Sequence, residues 1–346
     1  MRSTLLVPVA GLVLALSAGL GYSQDKDKGN KDDISFQTYD GVLIKGSFYP
    51  SAKGGNAPVV MFLHKFGSDT GKDGWDDLAV QLQQKGYSVL AFDFRGHGRS
   101  KQIDKPEIFW PLNRNLINRS SDPKKKNLVY TDFKNGYLPY LLNDIVAARL
   151  YLDNRNDNGG CNTSNIIVIG AEEGASLGFS WLALEALRQA SYKTTNWIIN
   201  PGGVNPSPGS DDIAGAIWLS FSRSPLHLSF PYSHMVKIAP ALRDHIPMWF
   251  AVGQNDKIGV PDTSHMYDAV LRADQKKDRL ELTYKKPIEK IDLRGAKLLG
   301  NGSTNEDIDK YIKKLVERRP NTAVKNRDAK DANLRMVPLG VLGFGS

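Results

Sequence analysis

Hydrophobic positions follow two alternating rhythms along the chain. Short, nearly continuous apolar runs at 59–64, 87–92, 166–169, 213–219 and 247–253 fit strands buried on both faces of a mainly parallel sheet. Between and after them, 75–84, 137–154, 177–190, 264–273 and 305–319 have the composition and spacing of helices. The first repeats through Trp75, Leu78, Ala79 and Leu82, the second through Leu141, Ile145, Ala148 and Leu152, and the last through Ile308, Tyr311, Ile312 and Leu315. Ahead of these lie runs 34–39 and 42–49, joined by Asp40-Gly41, a pair that favours a tight hairpin turn. A strand fragment is expected at 197–200, and 280–284 and 289–293 flank the final strand region. Strand, helix, strand at this spacing implies right-handed crossovers. The fold class is α/β: a mostly parallel central sheet with helices on both faces.

Three stretches break the rhythm. Residues 101–129 are rich in Lys, Asn, Pro and Arg, with a local excess of four positive charges, and read as an irregular basic excursion that Phe109 and Trp110 pack down. Residues 223–243 carry Pro225, Pro231 and Pro240, which leaves room for short helical turns only. Residues 320–346 form a tail, charged and loose at first, apolar and glycine-punctuated at its end, where packing on the body is expected.

The amino-terminal stretch changes the setting. Met1-Arg2, an apolar run over 5–20, and the small residues Gly21 and Ser23 read as a signal peptide over 1–23, followed by a polar linker over 24–33. The domain proper spans 34–319. The expected location is secreted or periplasmic, at the cell envelope; the alternative is an uncleaved N-terminal membrane anchor. Cys161 is the only cysteine, so no intrachain disulfide forms. The net charge of +8 is interspersed and lacks an aromatic-interleaved basic motif, which argues against nucleic acid as a partner. The expected partners are a small-molecule or peptide ligand and an envelope protein. No cofactor or metal is expected, and the oligomeric state is open.

The chemistry centres on one stretch. The β-branched run 166–169 ends in Gly170 and passes through Ala171-Glu172-Glu173-Gly174 directly into a helix. This layout resembles the nucleophile elbow, G-x-S-x-G, of the α/β-hydrolase family. Three other features stand in family order: the His64-Lys65-Phe66-Gly67 turn, the turn Asp93-Phe94-Arg95-Gly96-His97-Gly98-Arg99-Ser100, and Gly253-Gln254-Asn255-Asp256 after a late strand. Together they make residues 35–318 similar to the compact serine-peptidase-like or dienelactone-hydrolase-like branch, with little or no cap domain.

The resemblance implies a hydroxyl nucleophile, a histidine base, an orienting carboxylate and two backbone donors for an oxyanion. Phe66 and Glu173 stand at the donor positions and Asp256 at the acid position. Glu172 stands where the nucleophile would be, and Leu298 where the histidine would be. His97 matches a structural position of the family, Ser176 is a small packing residue, and His265 precedes the last strand. Glu172 has three readings: its carboxylate fills the oxyanion site, it joins Glu173 and Asp256 in an acidic pocket for a cation or basic ligand, or it takes part in altered acid–base chemistry. Glu172 and Asp256 are the candidate catalytic residues. The expected function is a secreted or envelope α/β-hydrolase-like protein without ordinary serine-hydrolase activity, acting through ligand or protein binding. The alternative is a divergent hydrolase of small esters, amides or peptides with a carboxylate-based mechanism.

Overall fold

The computed structural model describes residues 29–118, 124–189, 208–271, 282–288, 291–320, 322–332 and 334–345. The signal peptide expected at 1–23, most of the expected linker and the strand expected at 197–200 lie outside them. Among the described residues, a nine-stranded sheet forms the centre. The hairpin β1 (Asp32–Gln37) and β2 (Val42–Tyr49) leads into β3 (Pro58–Leu63), helix α1 (Trp75–Gln84) and β4 (Ser88–Phe92). After a long loop come α3 (Leu142–Asp157), β6 (Asn162–Ala171), α4 (Glu173–Leu187) and β7 (Ile213–Leu219). The chain closes through α5 (Tyr232–Ile238), α6 (Ala241–Asp244), β8 (Met248–Gly253), α7 (Gly259–Leu271), β9 (Tyr284–Ile288) and α8 (Gly302–Glu317). The sheet order is β1-β2-β4-β3-β6-β7-β8-β9, antiparallel as far as β2–β4 and parallel from β4 onward.

β6 shows why both faces are covered. Ile166 and Val168 point into a core shared with α3 and α4, while Ile167 and Ile169 point into one shared with α1 and α8. A strand alternates its side chains, so an unbroken apolar run demands a helix layer on each side. No helix among the described residues is long and apolar enough to cross a membrane.

The excursion at 101–129 departs from the irregular loop expected of it. It contains β5 (Gln102–Ile103), paired with β2, and α2 (Pro106–Asn113). Pro106 sits in the first turn, where its missing N–H costs nothing, and Phe109 and Trp110 are buried. Trp110 Nε1 donates to Lys125 O at 3.1 Å, which ties the helix to the returning strand of loop.

The tail also differs from the loose segment expected. Thr322 O and Lys325 O accept from Asn162 and Asn156, and the amides of Arg327 and Ala329 donate to Asp157. Arg327 is buried, with Nη2 2.9 Å from Asp212 Oδ1. It thereby joins a buried cluster in which Arg149 meets Asp153 at 2.9 Å and Asp212 at 2.8 Å, and Arg188 meets Glu185 at 2.7 Å. Farther on, Val337 N donates to Asn143 Oδ1, and Phe344 packs edge-on against Phe230. The apolar end therefore tucks onto the body, fastened across α3 and the start of β6.

Candidate functional site

The site lies at the carboxyl end of β6, where strand turns sharply into α4. Glu172 sits in that turn with φ 51° and ψ −114°, a backbone region costly for any side chain. The turn is possible because the flanking glycines remove bulk. A Cβ on Gly174 would run into Leu63 O, and one on Gly170 would lie 2.8 Å from Ala175 Cα. The geometry is that of an elbow that lifts one side chain above the sheet, and here the side chain is a carboxylate.

Two cations hold it. Arg294 Nε lies 2.8 Å from Glu172 Oε2, and Lys65 Nζ lies 3.6 Å from Oε1. Arg294 Nε has no in-line hydrogen-bond acceptor, so its contact with Glu172 is one of charge with charge. Gly295 makes room: its φ of +57° suits glycine, and a Cβ there would strike Glu172 Oε1. Lys65 comes from the turn after β3, and Arg294 from the approach to a 3-10 turn at Gly295–Gly300.

The neighbouring carboxylate does what was expected of Glu172. Glu173 Oε2 accepts from Phe66 N at 3.3 Å, and its own backbone amide also holds it. These are the two donors that the resemblance assigns to an oxyanion. Of the three readings of Glu172, the one in which its carboxylate fills this place is corrected: Glu172 projects to Lys65 and Arg294, and Glu173 accepts from the Phe66 donor. Burial, and then the charge of Glu172, push the Glu173 carboxyl above its ordinary range.

The remaining positions do not assemble a relay. Asp256, after β8, is buried, and its Oδ1 accepts from Ile258 N at 3.1 Å and Gly259 N at 2.8 Å. Its Oδ2 has no partner. Leu298, at the position where the resemblance places a base, is fully buried in the core between α1, α8 and the sheet. The three carboxylates are held by different partners: Glu172 by cations, Glu173 by the Phe66 amide, and Asp256 by the amides of Ile258 and Gly259. Among the described residues, no group of three His, Cys, Asp or Glu side chains is arranged to hold a metal ion.

The histidines near the site are braces. His97 Nε2 accepts from Gly67 N at 3.0 Å, its Nδ1 faces Arg95 O at 2.8 Å, and its ring stacks on Tyr130 at 4.5 Å. Burial, with His64 nearby, pushes its pKa down to about 3. His64 accepts from Phe94 N at 2.9 Å, and burial lowers its pKa too. Arg95 anchors the same turn through Asp40 and Asp144, both buried. Ser176 is buried and donates to Ser222 O at 2.6 Å, while His265 is exposed on α7.

Sequence reasoning missed Lys65 and Arg294 as partners of Glu172. The available signal was that charged residues stand at Lys65, where glycine is common in the family, and just before the Gly295 turn.

The chain has the α/β-hydrolase fold. A solved α/β hydrolase from a Penicillium species superposes with a TM-score of 0.51 at 10% identity, covering 83% of this chain and 99% of that one. No protein-family model matches the chain. In sequence it is 36% identical over 66 residues to an uncharacterised protein of Mycobacterium tuberculosis, a match covering 19% of this chain and 23% of that protein. It is 41% identical over 66 residues to a bifunctional esterase/perhydrolase of Acinetobacter calcoaceticus, covering 19% of this chain and 22% of that enzyme. The chain thus spans less than a quarter of the length of these curated relatives.

Proposed function

We propose that the protein is an exported α/β-hydrolase-fold protein that binds a small molecule or peptide at the mouth of the elbow and does not cleave it by an acyl-enzyme route. One observation carries this reading: the Glu173 carboxylate accepts from the Phe66 amide, one of the two donors that would have to receive an oxyanion. Glu172 adds to it, since a carboxylate paired with Arg294 and Lys65 offers no hydroxyl, and among the described residues no histidine hydrogen-bonds Asp256. The partly exposed Lys65 and Arg294 are the groups a ligand would meet first. A fluorophosphonate ester, which captures activated serines, tests the claim by mass spectrometry of the intact protein. No adduct is expected, and a stoichiometric adduct on any serine overturns the reading.

A second reading is a divergent hydrolase of small esters, amides or peptides. The local likeness to an esterase/perhydrolase favours it. So does the Glu173 carboxyl, which burial and the neighbouring Glu172 raise above its ordinary range, as a group that can hold a proton beside the elbow. It requires turnover that disappears in Glu172→Ala.

A further inference from the structure

A second site lies at the opposite end of the sheet from the elbow. A cavity of about 190 Å³ opens beside the first residues of β7 and β8 and the last turn of α8. Its polar wall consists of Arg243, Asp244, His245, Thr283, Arg318 and Arg319. Three arginines therefore line the cavity beside one acidic lining residue, Asp244, whose carboxylate pairs with Arg243 at 3.0 Å.

Arg319 is the informative member. Its guanidinium reaches the carbonyls of Ile213 at 3.3 Å, Ser164 at 3.0 Å and Asp211, but it forms no ion pair with a carboxylate among the described residues. Its Nε is buried with no hydrogen-bond partner among the described residues, and burial lowers its pKa. A partly buried cation with an unmet donor is costly unless an anion completes it. Arg318 is exposed beside it and pairs with no acid among the described residues. Thr283 Oγ1 accepts from Met248 N at 3.3 Å, which leaves its own O–H to donate.

One effect opposes an anion here. The pocket sits at the carboxyl end of α8, whose dipole amounts to roughly half a negative charge. Asp211 and Asp212 also act on Arg319, but Asp212 is already engaged by Arg149 and Arg327, so the three lining arginines keep positive charge in excess and outweigh the dipole. Volume sets the size of the occupant: about 190 Å³ holds roughly six waters and falls below the range for drug-sized ligands. Planar guanidinium forks suit tetrahedral phosphate oxygens.

We propose that this pocket binds a compact phosphate group, free or as a small phosphate monoester. Calorimetric titration of the full chain with sodium phosphate, and separately with glycerol phosphate, at constant ionic strength against sodium chloride, tests it. Saturable one-to-one binding is expected, weakened about tenfold or more in Arg318→Gln and in Arg243→Gln. Both side chains are at the surface end of the pocket, and circular dichroism checks that each variant folds. Glu172→Ala should leave this binding unchanged, which separates it from the elbow. Tighter binding of the monoester marks an organic ligand, and equal binding marks free phosphate. Absence of saturable heat, or affinity unchanged in both arginine variants, overturns the proposal.

Discussion

Arg294 Nε lies 2.8 Å from Glu172 Oε2, so the loop expected to supply a histidine base supplies a cation instead. The pair is partly open to solvent, and its contribution to stability is correspondingly small, about 1 kcal/mol or less. Arg294→Gln should lower the urea midpoint slightly without changing the slope. A loss above about 3 kcal/mol would mean that the pair is a structural keystone rather than a neutralised surface of the site.

The backbone of Glu172 gives a sharper test. Its φ of 51° and ψ of −114° are tolerated by glycine and cost a side chain about 1–3 kcal/mol. Glu172→Gly should be at least as stable as the parent, and more stable than Glu172→Ala by about 1 kcal/mol or more. Equal stability of the two variants would show that the elbow relaxes once the carboxylate is gone.

The Phe66 amide should report the ionisation of Glu173, because that carboxylate accepts from it. In a pH titration followed by amide NMR, the Phe66 signal should move with a midpoint above the ordinary glutamate value, as burial and Glu172 require. Glu173→Gln should abolish the step. A Phe66 amide that ignores pH would place the Glu173 side chain elsewhere.

His97 links the site to acid stability. Its folded pKa, about 3, lies below the unfolded value of about 6.5, so the unfolded chain binds the proton more readily. The stability it contributes is complete above pH 6.5 and falls as pH drops toward 3. At pH 5 the loss from this residue should be about 2 kcal/mol relative to pH 7. Urea midpoints at the two pH values measure it, and His97→Asn should flatten the difference.

Much of this fold can be read from period alone. The run at 213–219 coincides with β7 to the residue, and β6, β8 and α8 fall where apolar spacing places them. The excursion was harder, because Pro106 opens a helix of only two turns and Pro111 lies inside it, which masks its rhythm. The site was legible in what it lacks, the serine and the histidine, since those are single positions within a recognisable frame. Its positive content was not. The elbow frame separates Glu172 from Glu173 in position but not in partners, since Lys65, Arg294 and Phe66 come from distant segments. The hold on the tail was equally hidden, because Arg327 finds Asp212 only after α3 and β7 are packed.

That hold makes the tail part of the folded body. Arg327→Ala leaves a buried carboxylate cluster short of one cation, a change worth about 3 kcal/mol or more. Truncation after residue 320 should destabilise at least as much. Thermal melts of both variants check this, and a melt equal to the parent's would show that the tail merely rests on the surface.

The most direct test of the central claim is turnover. The protein from Gln24 onward is assayed against short-chain esters, thioesters and amino-acid amides, beside Glu172→Ala and Asp256→Ala. Rates no higher than those of the variants are predicted, as a site with Glu173 seated on its amide donors requires. Saturable turnover that is lost in Glu172→Ala would contradict the account and make Glu172 a catalytic carboxylate.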